Sequence, residues 1–341
     1  MKSNSREIGR LLVTGVPGWL TDGLLQSLRE APPPGLAAVR CLVEPGRLPP
    51  PRTTDEEAPF PTEYVEADLR DRASLAAATR GVDTVLHAAG LLHVRRTRDW
   101  YEVNTRGTDR LLDAAVENRV GRFVFISSNA AAGRSPSRQR LLTEADRPRP
   151  LSHYGRSKWL AEQAVAARQS RMETVSLRPC MFYGPPVPPR HIEVYERVIH
   201  GRMPLVGNGN YARSLTYIDN LVQGCRLALM HPAAAGQTYY ISDRPVYTTK
   251  QVVEAMARAL GVTPRFLPVP AVVGPLAYRL DMALARGQLY WQTLHLVGES
   301  DWNVGVSCAK ACEELGYAPT VEIEEGMRKA VLWCRSQGKL S

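Results

Sequence analysis

The sequence contains little lysine and no long apolar run. Of its 43 basic residues only six are lysines, and the others are arginines. No segment approaches the roughly 18 uncharged apolar residues that a membrane-spanning helix needs. The first residues, "MKSNSREIGR", have no apolar core before a cleavage site, so they do not resemble a secretory signal. We therefore expect a cytoplasmic protein.

The six cysteines are scattered and form no C-x-x-C motif. Cys308 and Cys312 are one helical turn apart, but no histidine lies near them in the sequence to complete a metal site. We therefore expect free thiols in a reducing compartment and no bound metal.

The excess of arginine gives the chain a formal net charge of +9. Such a charge permits attraction to nucleic acid or to an anionic membrane surface. The arginines are dispersed along the chain, however, and no recognised motif for reading nucleic acid accompanies them. We predict no nucleic-acid partner and leave a peripheral membrane contact open.

Up to residue 180, short β-rich segments alternate with helical ones. The β-rich segments are 11–14, 38–43, 62–69, 82–90, 122–128 and 174–180. This alternation predicts βαβ units, which build a parallel sheet with helices on both faces. The fold class is therefore predicted as α/β, with a doubly wound parallel sheet over residues 8–180.

After residue 180 a proline-rich loop, "MFYGPPVPPRH", breaks the alternation. The late segment "YYIS" predicts one strand that returns to the sheet near residues 237–243. Helical patterns follow at 249–260, 271–286 and 307–315. We therefore expect residues 181–335 to form mostly a smaller C-terminal substrate-binding lobe.

A glycine turn joins the first predicted strand to the first helix. Gly15 and Gly18 permit a tight turn there and let the backbone approach the pyrophosphate of a dinucleotide at the helix N-terminus. Pro17 has no N–H, so the donors would be the backbone groups of Gly18, Trp19 and Leu20. Taken alone, the pattern is equally consistent with a plain strand–helix turn.

A carboxylate, Glu44, ends the second predicted strand. In that position it can accept hydrogen bonds from the adenosine ribose hydroxyls and repel a 2′-phosphate, which favours NAD over NADP. Arg40 and Arg47 are close in sequence and could bind such a phosphate, so NADP is not excluded.

One of the six lysines lies four residues after a tyrosine, in "HYGRSKWLAE". On a helix, Tyr154 and Lys158 would share a face, and a nearby ammonium stabilises a phenolate. Ser128 ends the preceding strand, where its hydroxyl could hold a substrate oxygen beside Tyr154. An isolated Y-x-x-x-K is usually an exposed helical pair, but this one accompanies the glycine turn and Ser128 at the carboxyl ends of predicted strands.

At these positions the sequence resembles the extended short-chain dehydrogenase/reductase superfamily, from Leu11 to about Trp333. "TGVPGWL", "FVFISSNAAAG" and "HYGRSK" resemble its glycine, serine and Tyr/Lys motifs, and "LRPCMFYGP", "RSLTYIDNL" and "GQTYYISD" its later signatures. The resemblance implies that residues 8–180 form a Rossmann-type domain that binds a nicotinamide cofactor, NAD or NADP. It also implies hydride transfer at a carbinol carbon.

The resemblance also implies roles for single residues. Tyr154 would be the acid/base, Lys158 would tune it and anchor the ribose, and Ser128 would hold the substrate oxygen. Dimerisation through helices at 104–118 and 154–168 is implied too. Cofactor contacts are implied for Gly15, Gly18, Trp19, Leu20, Glu44, Asp68, Leu69, Ala88, Ala89, Asn104, Tyr154, Lys158 and Pro179.

The branch of the superfamily is indicated by residues around the predicted site. Met181 occupies the place where sugar-nucleotide enzymes usually carry an asparagine, and Asn129 and Ala130 replace the acid pair that a sugar dehydratase needs. An apolar 180–182 segment and the apolar segment 266–278 suit an apolar substrate, although they could equally be core. The chain most resembles the branch of the 3β-hydroxysteroid dehydrogenases and sterol-4-carboxylate 3-dehydrogenases.

Three functions follow as hypotheses. In the first, the chain oxidises a secondary alcohol of a steroid-like substrate, with decarboxylation where a carboxylate is β to the new ketone, or runs the reverse reduction. In the second, it is a nucleotide-sugar epimerase or reductase, with Arg213 as the phosphate-binding residue. In the third, it is a non-catalytic dinucleotide-binding scaffold, a role that the retained Tyr/Lys pair disfavours.

Overall fold

The computed structural model describes residues 6–47 and 59–340, and the structural statements below refer to these residues. Residues 1–5, which begin the segment compared above with a secretory signal, lie outside these ranges.

A parallel sheet of seven strands forms the centre of the structure. The strands, in chain order, are β1 (Gly9–Val16), β2 (Leu36–Val43), β3 (Thr62–Glu66), β4 (Thr84–His87), β5 (Arg122–Ile126), β6 (Glu173–Pro179), β7 (Met181–Tyr183), β8 (Met203–Val206), β9 (Ala212–Arg213), β10 (Leu215–Tyr217), β11 (Thr238–Ile241), β12 (Tyr247–Thr248) and β13 (Phe266–Val269). The central sheet has the order β3-β2-β1-β4-β5-β6-β11, and the six other strands pair two by two outside it. Its inner strands are almost wholly buried, as apolar runs in a parallel sheet predict.

Helices cover both faces of this sheet. They are α1 (Trp19–Glu30), α2 (Arg72–Ala78), α3 (Thr97–Trp100), α4 (Thr108–Glu117), α5 (His153–Ala166), α6 (Pro189–Ile199), α7 (Ile218–Met230), α8 (Thr249–Leu260), α9 (Val273–Arg286), α10 (Gln292–Gly298), α11 (Ala309–Leu315) and α12 (Ile323–Ser336). One apolar core lies under α1, α7, α8 and α12, and a second lies under α2, α4 and α5. The predicted doubly wound α/β class is therefore confirmed.

Two helices of the larger core, α7 and α12, were not predicted. Neither has a side-chain hydrogen bond at its N-cap, and each contains an interior glycine, which weakens a sequence-based assignment. Gly326 of α12 is explained by packing, because a Cβ there would lie 2.6 Å from the Tyr183 ring. The helix is thus determined by contacts with β7 rather than by local signals.

Strand β11 returns to the sheet and pairs in parallel with β6. Between and after these strands, the short strand pairs and helices α6, α8, α9 and α10 lie outside the central sheet. The division of the chain at residue 180 into a cofactor domain and a substrate lobe stays a prediction.

Three further features concern only residues 6–47 and 59–340. No helix there is both long enough and apolar enough to cross a bilayer. No group of three or more potential metal-ligating side chains converges in that part of the chain. All six cysteines are free thiols, and five of them are buried.

A buried ion pair connects the strands and the helix that carry the predicted site. Arg178 of β6 donates to both carboxylate oxygens of Glu162 on α5, at 2.9 and 2.7 Å. Ser127, which follows β5, donates to the same carboxylate at 2.6 Å. The two charged side chains are only 6% and 5% exposed, so neither charge has water as an alternative partner.

Replacement of Arg178 by methionine is expected to lower the free energy of unfolding by about 3–5 kcal/mol, because it leaves the Glu162 charge buried and unpaired. Denaturant unfolding of the purified protein measures this change. The matched control is Arg328→Met on α12, where the ion pair with Glu325 is exposed and is worth less than about 1 kcal/mol. Equal effects of the two substitutions would contradict the prediction.

Candidate active site

The predicted site residues lie at the carboxyl ends of neighbouring parallel strands. Strand β1 pairs with β2 on one side and with β4 on the other, so the chain reverses its direction across the sheet at this point. Open α/β sheets bind their ligands in the crevice formed at such a reversal. The ends of β1, β2, β4, β5 and β6 all contribute residues to the crevice.

The glycine turn after β1 has the backbone geometry that a dinucleotide requires. Gly15 has a φ of +86°, and a Cβ there would lie 2.8 Å from the backbone nitrogen of Ala89, beside Ala88 at the end of β4. A Cβ on Gly18 would overlap the Gly15 carbonyl oxygen. Both positions therefore need glycine, and the resulting cradle at the start of α1 fits a pyrophosphate.

An acidic residue that the sequence interpretation missed lies in the first turn of α1. The backbone N–H of Gly18 donates to the Asp22 carboxylate at 3.2 Å, and burial raises the pKa of Asp22 above its usual range. The Asp22 carboxylate thus competes with a pyrophosphate for the Gly18 N–H, whereas it does not engage the other two predicted donors, the N–H groups of Trp19 and Leu20. A carboxylate four residues after the N-cap glycine is the sequence signal for such a contact.

At the predicted adenosine end, Glu44 is exposed just after β2. Arg40 donates to Glu63 at 2.7 Å and to the carbonyl oxygens of Ala78 and Arg80, so its guanidinium is already engaged elsewhere. This arrangement removes one of the two arginines that could bind a 2′-phosphate.

The residues predicted to contact adenine lie after β3. The carboxylate of Asp68 pairs with Arg70 at 2.6 Å, and hydrogen bonds from Arg70 hold the pKa of Asp68 below its usual range. Leu69 is buried against Gly107, where a Cβ would lie 2.8 Å from the Leu69 side chain. A cofactor adenine would therefore meet an Asp68 carboxylate that is already paired with Arg70, and an apolar surface at Leu69.

Asn104 fixes the loop that follows β4. It lies in a π-helical segment, Tyr101–Gly107, and its amide accepts from Leu91 N at 2.7 Å and donates to Leu91 O at 3.0 Å. The same amide donates to Ser157 Oγ on α5 at 3.2 Å. Asn104 therefore couples the β4 loop to the helix that carries Tyr154 and Lys158.

Ser128 and Tyr154 are brought together by a close approach of two turns. Ser152 caps α5 through a hydrogen bond from Gly155 N at 3.1 Å. Gly155 has no Cβ, and one would overlap the carbonyl oxygen of Ala130 in the turn that Ser128 begins. This arrangement brings the Ser128 hydroxyl near enough to Tyr154 to lower the pKa of its phenol.

The structure distinguishes the two adjacent serines at the end of β5. Ser127 is buried, and its hydroxyl is used by Glu162. Ser128 is half-buried, faces Tyr154 and accepts from Ala130 N at 3.2 Å. Of the two hydroxyls, that of Ser128 is therefore the one available beside Tyr154, and its catalytic role stays a prediction.

The electrostatics of Tyr154 differ from the sequence expectation. Burial raises the pKa of Tyr154, while the nearby Ser128 hydroxyl and the charge of Arg190 act in the opposite direction. Lys158 instead donates to the Ile126 carbonyl oxygen at 2.7 Å, with Nζ 4.4 Å from the centre of the Phe125 ring. Burial lowers the pKa of Lys158 to about 7. The cation that acts on the Tyr154 hydroxyl in this structure is therefore Arg190, which was not singled out from the sequence.

The remaining predicted residues have different surroundings. Pro179 is buried at the end of β6, and Met181 in β7 is 53% exposed beside it. Arg213 donates to the carbonyl oxygens of Trp302, Ser300 and Glu299, so its guanidinium ties β9 to the loop after α10. This geometry gives no support to a phosphate-binding role for Arg213.

A comparison with protein families gives one match relevant to this arrangement. The profile described as the NAD dependent epimerase/dehydratase family matches residues 11–242, which span the glycine turn, Ser128 and the Tyr154/Lys158 pair.

Three curated proteins illustrate the range of relatives. Uncharacterized protein y4nL of Sinorhizobium fredii is 34% identical, with 96% of both chains covered. The 2-alkyl-3-oxoalkanoate reductase of Stenotrophomonas maltophilia is 30% identical over 78% of this chain and 84% of its own. The 3-beta-hydroxysteroid dehydrogenase of Mycolicibacterium neoaurum is 27% identical over 95% of this chain and 91% of its own.

Among solved structures, the UDP-glucose 4-epimerase of Thermus thermophilus in complex with NAD is 25% identical. It covers 96% of this chain and 99% of its own with a TM-score of 0.72. The similarity extends over the central sheet and the C-terminal elements together.

Gly15→Ala is expected to weaken NAD binding at least about tenfold, since it adds a Cβ that overlaps the β4 loop at a positive φ. Titration of the purified protein with NAD, followed by calorimetry, measures the affinity. Gly261→Ala is the control, because Gly261 has a φ of +77° and open space around it. An unchanged affinity in Gly15→Ala would show that the turn does not hold the cofactor.

Lys158 predicts a pH dependence of the apoprotein's stability. Its pKa in the folded state is about 7, against 10.5 for an ordinary lysine, so between these values the unfolded chain binds more protons. The cost of burying the charge is fully present below about pH 7 and is relieved as the pH rises toward 10. Relative to Lys158→Met, the wild type should therefore gain stability over this range, as thermal unfolding measures. A constant difference between the two proteins would contradict the shift.

Proposed function

The chain belongs to the NAD-dependent epimerase/dehydratase family, and we propose that it uses NAD to oxidise a secondary alcohol, or to reduce the matching ketone, in an apolar substrate. The family and its structural neighbours comprise NAD-dependent dehydrogenases, reductases and epimerases, so the chain is an enzyme of this oxidoreductase type. The observation that carries the finer proposal is the proximity of Ser128 to Tyr154, which the close approach of Gly155 to the Ala130 carbonyl oxygen brings about.

The mechanism follows from what each side chain can do. When bound, NAD takes up or returns the hydride. Ser128 holds the substrate oxygen, and Tyr154 exchanges a proton with that oxygen, as phenolate in oxidation and as phenol in reduction. Lys158, one turn along α5, would contact the nicotinamide ribose. The raised pKa of Tyr154 keeps the phenol protonated at neutral pH, which suits reduction.

The apolar substrate is supported by residues of β7, which follows β6 and the predicted site residue Pro179. Met181 is exposed, and Phe182 packs on Trp19 with the ring centres 4.7 Å apart. Asn129 and Ala130 follow Ser128 and provide no acid or base for dehydration. Substrates with a large apolar body therefore fit best. A 3β-hydroxysteroid, a sterol-4-carboxylate that also loses CO₂, and a 2-alkyl-3-oxoalkanoate are the candidates that the sequence and the relatives' names suggest.

A nucleotide-sugar epimerase or reductase is the second candidate, supported by the likeness to UDP-glucose 4-epimerase. The engaged guanidinium of Arg213 and the apolar side chain of Met181 disfavour it, because a sugar diphosphate needs free donors. A non-catalytic scaffold remains the weakest hypothesis, because the chain retains Ser128, Tyr154 and Lys158.

Two partner assignments stay predictions. A homodimer would pair the outer faces of α4 and α5, where Trp159 and Leu160 are half-exposed. A peripheral membrane contact would use the exposed apolar side chains of α9 and its flanks, which are Val272, Leu276, Leu280, Leu289 and Trp291. Size-exclusion chromatography with light scattering and vesicle sedimentation would test these two assignments separately.

Tyr154→Phe is expected to lower kcat by about 10²–10⁴-fold, because it removes the only proton that the phenol can exchange. Hydroxysteroids and long-chain 2-alkyl-3-hydroxyalkanoates supplied with NAD form the assay panel, and reduced nicotinamide absorbance is the readout.

Tyr101→Phe is the matched control, since the Tyr101 hydroxyl is bonded to His153 at 2.8 Å and has no role in the proposed chemistry. A Tyr154→Phe variant that keeps the wild-type rate would overturn the mechanism. Absence of turnover of the whole panel by folded, NAD-loaded protein would overturn the proposed substrate class.

A further inference from the structure

Arg190 is a half-buried cation beside the site, on a helix outside the central sheet. It is the second residue of α6, which follows β7 after a proline-rich loop. Its guanidinium carbon lies 5.8 Å from the centre of the Trp19 ring, at the start of α1. Its charge also acts on the hydroxyl of Tyr154. Arg190 therefore lies beside the start of α1 and close enough to Tyr154 for its charge to act there.

This guanidinium has no counter-ion in residues 6–47 and 59–340. The only group there that favours its charged form is the phenol of Tyr154, and burial lowers the pKa of Arg190. Nearby histidines, His93 and His191, have pKa values lowered in part by the Arg190 charge. A partly desolvated cation among neutral groups is costly unless an anion is supplied.

The position of Arg190 favours the substrate as the source of that anion. The cofactor pyrophosphate has backbone donors of its own at Trp19 and Leu20, where α1 begins. Arg190 instead belongs to α6, which follows the apolar β7 residues Met181 and Phe182 in the chain. Its charge acts on the phenol of Tyr154, the group proposed to exchange a proton with the substrate oxygen. An anionic group close to the reacting oxygen would lie in the field of the Arg190 charge as well.

We propose that Arg190 binds a carboxylate of the substrate close to the reacting carbon, which makes the substrate a 3-hydroxy or 3-oxo acid with an apolar body. This inference rests on the proposed function and narrows its substrate class. Arginine suits the role because its planar guanidinium binds a carboxylate through two parallel hydrogen bonds.

The test compares a long-chain 2-alkyl-3-hydroxyalkanoate with its methyl ester, which differs only in lacking the charge. The wild type should prefer the acid in kcat/KM, and Arg190→Met should reduce the acid-to-ester ratio by about ten- to a hundredfold. Arg190→Lys should restore part of the ratio, since it keeps the charge but not the paired geometry. Arg197→Met, an exposed arginine of the same helix, is the control and should leave the ratio unchanged.

Binding measurements decide between the two possible anions. Calorimetry of the acid with NADH-loaded protein should show the same loss of affinity in Arg190→Met. An unchanged acid-to-ester ratio together with weakened NAD binding would assign Arg190 to the pyrophosphate and overturn the proposal. Failure of the loaded wild type to bind the acid more tightly than the ester would overturn it as well. If neither the acid nor the ester is turned over through Tyr154, the proposed function is wrong. The preference of the protein for binding the acid over the ester would still test the role of Arg190 separately.

Discussion

The buried ion pair between Arg178 and Glu162 is the constraint on which the candidate site depends. It joins β6 to α5, and Ser127 joins β5 to the same carboxylate. A buried carboxylate needs all of these donors, so the three elements cannot shift relative to one another without exposing an unpaired charge to an apolar interior. Arg178 is adjacent to Pro179, and Ser127 is adjacent to Ser128. Glu162 lies one helical turn after Lys158 on α5. The pair therefore fixes the positions of Ser128, Lys158 and Pro179 together.

Close backbone approaches at two glycines define the shape of the site. Gly15 brings the first turn against the end of β4, and Gly155 brings the first turn of α5 against the carbonyl oxygen of Ala130. Neither contact supplies binding energy of its own. Each removes the volume of a side chain, so that backbone donors or catalytic hydroxyls can meet. Burial also sets the protonation of the two side chains on α5. It raises the pKa of Tyr154, which keeps the phenol protonated, and it lowers the pKa of Lys158, so that the ammonium loses its proton more easily.

The fold class was predictable from local patterns. Apolar strands alternating with helices gave the parallel sheet, whereas the order of its strands came from the structure, and the site residues stay predictions. Helices α7 and α12 were missed because their ends lack capping signals and their glycines serve distant contacts. Arg190 and Asp22 were missed for a related reason. Their partners are brought to them by the tertiary fold rather than by sequence spacing.

By itself, the sequence determined the α/β class, the glycine turn and the Tyr154–Lys158 pair, because these depend on the period of a helix or strand and on the steric freedom of glycine. Only the tertiary structure decided which charges are free to meet a ligand. Arg40 and Arg213 are engaged by partners far along the chain, whereas Arg190 has no counter-ion among the described residues. An arginine's availability depends on its desolvation and on which acceptors the fold places around it, and neither is encoded by neighbouring residues in the sequence.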